Sequence, residues 1–259
     1  MSYERKKRVR NIINLINQRK EISVKEISDL MRVSNMTIRR DLDDLEQQGI
    51  IRRTHGGAVL LDPNTSMMDL YILGEQTTRN AEEKRQIGIK AASLIQPHET
   101  IFLDSGSTTP FIAKSLSYNL PITVLCYTFT NALEFYPREN TNLILLGGFL
   151  HRDSNIIHSV ENLELIRNTR ADKAFISTGG LDPKMGLTTY FDYEAAIKRE
   201  MINSARQIIL VTDSSKFGEI NVVHFADLDK IDMIITDQGI SEEYRRLFMD
   251  REIELIIAD

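Results

Sequence analysis

Apolar residues fall at Val9, Ile12, Ile13 and Ile16, the i, i+3, i+4, i+7 spacing of one helical face, and predict a first helix over about 4–18. Ser23-Val-Lys-Glu26 then reads as a capping box: Ser23 accepts a first-turn N–H and Glu26 reaches back to the Ser23 N–H. It opens a short helix carrying Val24, Ile27 and Leu30. After Val33, Ser34 is placed to cap a third helix whose apolar positions Ile38, Leu42 and Leu45 stand at i, i+4, i+7, with Gly49 placed to stop it. Two short helices joined by a tight turn make a helix-turn-helix. The stretch 50–60 follows as two short β-prone runs around Gly56-Gly57, a β-wing.

The pattern changes at Asp62-Pro-Asn-Thr-Ser66, a turn-rich stretch that places a linker at 61–80. Beyond it, β-branched runs at Thr100–Leu103, Ile122–Tyr127, Asn142–Leu146, Ala174–Ser177, Gln207–Val211, Ile231–Thr236 and Glu252–Ile257 alternate with helical stretches. The helices are expected at 81–95, from Pro110, and at 129–136, 160–168, 192–205 and 241–249. Alternation at this spacing implies βαβ units and a mainly parallel sheet covered on both faces. The organisation expected is therefore a winged helix-turn-helix over 1–60, a linker over 61–80 and an α/β domain over 81–259.

Composition supports a folded chain. Of 259 residues 42% are hydrophobic and 27% charged, with 6 Pro and 13 Gly, which excludes disordered and fibrous classes. The single cysteine, Cys126, lies in an apolar run and is expected to be buried; it can form neither an internal disulfide nor a Cys-rich zinc site. No stretch approaches 18 apolar residues and the start is basic, so no membrane span or signal core is expected and the location expected is the cytoplasm. The net charge of −5 hides an asymmetry. Residues 1–60 carry 13 Lys and Arg against 8 Asp and Glu, a net +5, while the rest carries 19 against 29, a net −10. A basic end on an acidic body suggests two domains with different partners, the first nucleic acid.

In the third helix, inward Ile38, Leu42 and Leu45 leave Asn35, Thr37, Arg39 and Arg40 on or beside the outward N-terminal turns, the part of a recognition helix that enters the major groove. Arginine takes guanine and asparagine takes adenine bidentately, while threonine offers a methyl or a hydroxyl. Asp41, Asp43 and Asp44 must then face away from phosphate or neutralise Arg39 or Arg40. The wing brings Arg52, Arg53 and His55 to a neighbouring groove, and Arg5, Lys6, Lys7, Arg8 and Arg10 crowd the first helix where DNA phosphate would favour them.

In the α/β part, small molecules are expected at the carboxyl ends of strands. Asp104-Ser-Gly-Ser-Thr-Thr109 leaves one strand and enters a helix, with a tight glycine turn, clustered N–H groups and several hydroxyls: a phosphate cradle, although the same pattern serves as a plain helix cap. It lacks the Gly-Lys-Ser/Thr of a nucleotide-hydrolysing loop. Lys216, in Asp213-Ser-Ser-Lys-Phe-Gly218, adds a point charge after another strand, and Gly147-Gly148 and Thr178-Gly179-Gly180 let a ligand approach backbone closely. The histidines at 55, 98, 151, 158 and 224 have no metal-ligand spacing, and no metal or cofactor is expected.

Val33-Ser-Asn-Met-Thr-Ile-Arg-Arg-Asp-Leu42, Leu45-Glu-Gln-Gln-Gly49 and Arg53-Thr-His-Gly-Gly-Ala58 resemble the amino-terminal signature of the DeoR family of bacterial transcriptional regulators. The resemblance continues through Glu83-Lys-Arg85, Asp104–Thr109, Gly147-Gly148, Ala171-Asp-Lys-Ala-Phe175, Gly186-Leu-Thr-Thr189 and Asp213–Phe217. It implies operator binding by Ser34, Asn35, Thr37, Arg39 and Arg40, and an effector domain similar to ribose-5-phosphate isomerase and the CoA-transferases. It also implies a phosphorylated sugar held by Asp104, Ser105, Gly106, Ser107, Thr108, Thr109 and Lys216, with deoxyribose 5-phosphate the leading candidate. Many members have Thr-Asn where this chain has Thr128-Phe129, and Gly where it has Val160-Glu161, positions that bear on the sugar end of the pocket. The function expected is a repressor, dimeric or larger, released by that effector. The competing class is a sugar-phosphate isomerase, for which Asp104, Glu194 and Lys216 are available; a protein-binding module would show no nucleic-acid affinity.

Overall fold

The computed structural model describes residues 3–19, 21–47, 51–54, 56–60, 80–152 and 154–259. The chain divides into two compact units, Met1–Arg79 and Asn80–Asp259. Most of the expected linker, 61–79, lies outside the described residues, as do Gly49 and His55.

The first unit runs α1 (Tyr3–Arg19), β1 (Glu21–Ser23), α2 (Val24–Met31), α3 (Asn35–Gln47), β2 (Ile51–Arg53) and β3 (Gly57–Leu60). The capping box forms as the sequence predicts, with Glu26 N–H on the Ser23 hydroxyl and the Ser23 N–H on the Glu26 carboxylate. Arg32 ends α2 in a left-handed conformation, φ 55, that turns the chain toward α3. Ile12, Ile16, Ile27, Ile38, Leu42 and Leu45 close into one core, whereas Leu30, expected on the inward face of α2, is exposed. The wing gains a strand not expected from sequence: the antiparallel order is β1-β3-β2. Gly57 is required there, because a Cβ would sit 2.0 Å from the Ile22 carbonyl oxygen.

In the second unit seven strands, β4 (Thr100–Leu103), β5 (Ile122–Cys126), β6 (Thr141–Leu145), β9 (Ala171–Ile176), β12 (Ala205–Val211), β14 (Met233–Asp237) and β15 (Glu254–Ala258), form one sheet in the order β15-β14-β12-β9-β4-β5-β6. Every pairing in it is parallel. Alternate strand residues feed two cores, Phe102, Leu125 and Ala174 on one face and Ile101, Val124 and Phe175 on the other. This explains the unbroken apolar runs. The helices α4 (Ala81–Ala92), α5 (Thr109–Ser115), α6 (Phe129–Phe135), α7 (Val160–Asn168), α8 (Asp192–Ser204) and α9 (Glu242–Asp250) fall where the periodicity put them, α4 stopping short of 95. Cys126 is buried, its thiol pushed by burial up to about 12.

Two additions escaped the pattern: the hairpin β7 (Phe149–His151) with β8 (Ile156–His158), and a small antiparallel sheet of β10 (Gly180–Asp182), β11 (Gly186–Thr189) and β13 (Val223–Ala226). In chain order the large sheet reads 3-2-1-4-5-6-7 from β6, so its direction of winding reverses between β4 and β9. A crevice at the carboxyl ends of those two strands is where such sheets bind ligands.

Candidate DNA-reading and effector sites

At the start of α3 the Ser34 hydroxyl accepts the Thr37 N–H at 3.2 Å and shares a 2.9 Å hydrogen bond with the Thr37 hydroxyl. Asn35, Arg39 and Arg40 are exposed, and among the described residues neither arginine has a side-chain partner. Met36, in the same turn of α3, stands 59% exposed, a position the periodicity did not assign. Of the two alternatives for the acidic residues, pairing with Arg39 or Arg40 is not the one adopted among the described residues. Asp41 is buried and accepts Arg5 Nε at 3.0 Å and Arg8 Nε at 2.6 Å; Asp44 also takes Arg5, and Asp43 takes Arg53. Neutralisation thus goes to arginines of α1 and the wing, and Arg39 and Arg40 stay free. Arg5 and Arg8, expected at DNA phosphate, are committed inside the unit, the hydrogen bond to Asp41 leading the rise in the Arg5 pKa. Arg53 is likewise held, its N–H on Glu46 at 2.7 Å, whereas Arg52 is exposed.

At the switch point, the register sets Leu103 beside both Cys126 and Phe175, so Asp104, Tyr127 and Ser177 emerge together. Asp104 is fully buried and accepts Ser177 N–H at 2.7 Å, Ser177 Oγ at 3.0 Å, Tyr127 Oη and Lys198 Nζ. Lys198, from α8, is itself 0% exposed and lies 3.3 Å from Glu194, one turn earlier. Burial alone would lower its pKa, but Asp104 and Glu194 outweigh that and hold the ammonium raised. Glu194 in turn accepts Ser105 Oγ at 2.7 Å and Thr189 Oγ1 at 2.5 Å. Two carboxylates and one ammonium thus sit in a closed network of hydroxyls, and burial with the two carboxylates pushes the Tyr127 phenol well up.

Within the 104–109 loop the expected hydroxyls divide. Ser105 and Thr109 turn inward, Thr109 Oγ1 donating to the Asp104 carbonyl at 2.8 Å. Gly106, at φ 108, carries the chain over Ser177. The N–H groups of Gly106, Ser107 and Thr108 find no acceptor among the described residues, and Ser107 is half-buried. Asn131 Nδ2 supports the loop from below on the Asp104 carbonyl at 2.8 Å.

The other expected effector residues are less central. Thr128 is buried and caps α6 through Asn131 N–H at 3.3 Å. Gly147 follows β6, two strands from β4, and its carbonyl takes Asn162 Nδ2. Gly179 pairs its N–H with the Thr188 carbonyl at 3.0 Å. Lys216 follows β12, with β9 between it and β4, and its charge helps to hold the Asp213 carboxyl below its usual range. The cation that reaches Asp104 is Lys198. On sequence it read as an ordinary polar position of a helix, and only Glu194, one turn before it, had been singled out.

Two family profiles match: a DeoR-like helix-turn-helix domain over 8–64 and a DeoR C-terminal sensor domain over 79–238. The HTH-type transcriptional regulator GolR of Listeria innocua is 33% identical over 97% of this chain and 98% of its own. The deoxyribose operon repressor of Escherichia coli is 29% identical over 99% of this chain and 100% of its own. A ribose 5-phosphate isomerase from Methanocaldococcus jannaschii overlays 54% of this chain and 55% of its own at 15% identity and a TM-score of 0.40, a level of overlap that bears on neither ligand nor activity. Among the described residues no helix is long and apolar enough to cross a membrane. With both profiles matched and full-length relatives named as transcriptional regulators, the chain belongs to the DeoR family of transcriptional regulators, a DNA-binding helix-turn-helix followed by a sensor domain.

Proposed function

We propose that this regulator represses an operon of sugar or nucleoside catabolism in the cytoplasm and is released from its operator by a phosphorylated sugar. Asn35, Thr37, Arg39 and Arg40 read the operator, with Ser34 fixing the helix start and the wing lying alongside. A single short recognition helix gives too little affinity, so two half-sites and a dimer or larger oligomer follow. Deoxyribose 5-phosphate is the leading effector, a choice supported by the relative named for the deoxyribose operon.

The observation that carries the effector reading is that the N–H groups of Gly106, Ser107 and Thr108 have no acceptor among the described residues, at the point where the sheet reverses. Converging backbone amides make an anion-binding concavity. Lys216 adds charge from the next loop but one. The isomerase alternative finds no support in the relatives, which carry the names of transcriptional regulators.

A thermal-shift panel of pentose, deoxypentose and hexose phosphates, repeated with the free sugars, tests this. Stabilisation by one ester alone, together with release of operator DNA by the same ester, is expected; turnover of that ester would return the protein to the enzymes. Lys216→Ala is expected to keep operator affinity and blunt release. A variant released at the wild-type effector concentration removes Lys216 from the site.

A further inference from the structure

Asn80 is the residue at which the segment 61–79 enters the sensor unit. It precedes α4 in a left-handed conformation, φ 64, and its side chain does not cap that helix. Instead Asn80 Nδ2 donates to Asp213 Oδ1 at 2.8 Å, across 133 positions of sequence. Lys84, buried one turn into α4, stands 3.8 Å from the other Asp213 oxygen.

Asp213 has a second duty. It accepts the N–H of Ser215 at 3.2 Å as well as the Ser215 hydroxyl, and so caps the short turn Ser214–Lys216. Burial pushes its carboxyl up, but Ser215, Lys84, Asn80 and Lys216 together hold it below the usual range. One buried carboxylate therefore fixes both the entry of the sensor unit and the turn that bears Lys216. Asn and Asp are short side chains with little slack, so a shift of the turn alters the Asn80 bond.

We propose that Asn80, Lys84 and Asp213 are positioning residues that couple effector binding at the Lys216 turn to the segment joining the two units. The proposal rests on the sugar-phosphate reading above. An anion that draws Lys216 toward the 104–109 loop moves the turn, and Asp213 passes the movement to Asn80. A ligand shifts an equilibrium only through contacts that differ between its two states, and this carboxylate is a place where such a difference reaches the linker. The coupling is reciprocal, so operator must weaken effector binding by the same factor by which effector weakens operator binding.

The test uses the full chain with Asn80→Gly, which keeps the left-handed backbone and removes the amide, and Asn80→Asp, which keeps the shape and sets a second carboxylate against Asp213. Both are expected to bind operator as wild type does without effector, and to be stabilised by the effector at the wild-type concentration. At the effector concentration that releases wild type the variants should stay largely bound to operator, and the factor by which operator weakens effector binding should be roughly tenfold smaller than in wild type. Release of both variants at the wild-type concentration overturns the proposal, as does loss of operator binding without effector, which would place Asn80 in DNA binding itself. If no sugar phosphate stabilises or releases wild type, the functional reading has failed, and the failure is visible before any variant is compared.

Discussion

Arg8 Nε donates to Asp41 at 2.6 Å, so an acidic residue in the middle of the recognition helix faces α1 and is turned from the DNA side. The carboxylate is 1% exposed and also takes Arg5. Arg5 and Arg8, two residues of a helix start that looks made for phosphate, instead tie α1 to α3.

Asp41→Ala is accordingly expected to lower the stability of the first unit by about 1–3 kcal/mol, because Arg8 and Arg5 lose a charged acceptor while remaining partly solvated. Hydrogen exchange at the α3 amides of the full chain measures it. Operator affinity should fall as well, although the variant carries one negative charge fewer. Tighter operator binding would show that Asp41 acts only as a repelling charge.

Arg39→Ala should weaken operator binding by roughly 1–3 kcal/mol and relax sequence preference at one position, as loss of a bidentate guanine contact does. Salt titration separates this from a phosphate role, which would lower binding evenly over sequences and reduce the salt slope by about 1. Unchanged affinity and preference would remove Arg39 from the interface.

What could be read from sequence follows the range of the interactions. The i, i+4, i+7 spacing of Ile38, Leu42 and Leu45 is local and gave α3 and its buried face; the capping box at Ser23 and Glu26 is local too. Asp41 pairs with a residue 33 positions away, and nothing near it in sequence distinguishes it from Asp43 or Asp44. Lys198 is the same case in the sensor unit, since its partner Asp104 lies 94 positions earlier. Strands β1 and β10 have three residues each, too few for a period of two to show.

Lys198→Met leaves Asp104 and Glu194 without their shared cation and is expected to cost about 3–5 kcal/mol of sensor-unit stability, as breaking a buried pair does. The pH dependence has a definite sign. A lysine whose folded pKa is raised contributes stability that is fully present below its unfolded value of about 10.4 and is lost as pH rises through the folded value. The raised Tyr127 phenol acts in the same direction, starting from an unfolded value of about 10. Urea midpoints of wild type should therefore show no pH dependence from this pair between pH 7 and about 9, where its contribution is fully present, and fall above about 10, with a shallower alkaline fall in the variant. Equal alkaline limbs would mean that the pair is not what holds the network.

Two of the three glycines assigned to the effector site, Gly106 and Gly147, allow the last comparison. Gly106 has φ 108, and a Cβ there would stand 2.8 Å from Ser177 Oγ, the hydroxyl that holds Asp104 and donates to the Ser105 carbonyl at 2.6 Å. Gly106→Ala thus combines a left-handed backbone with displacement of Ser177, a strain of order 1–3 kcal/mol. It should weaken effector binding by at least about tenfold and leave operator affinity without effector unchanged. Gly147 differs, since a Cβ there meets nothing within 4 Å and the backbone is not left-handed. Gly147→Ala is therefore structurally mild, and any loss of effector binding in it reports a ligand lying against that backbone. Calorimetric titration of both variants with the same sugar phosphate decides whether the site reaches from the 104–109 loop as far as β6 or is confined to β4 and β9.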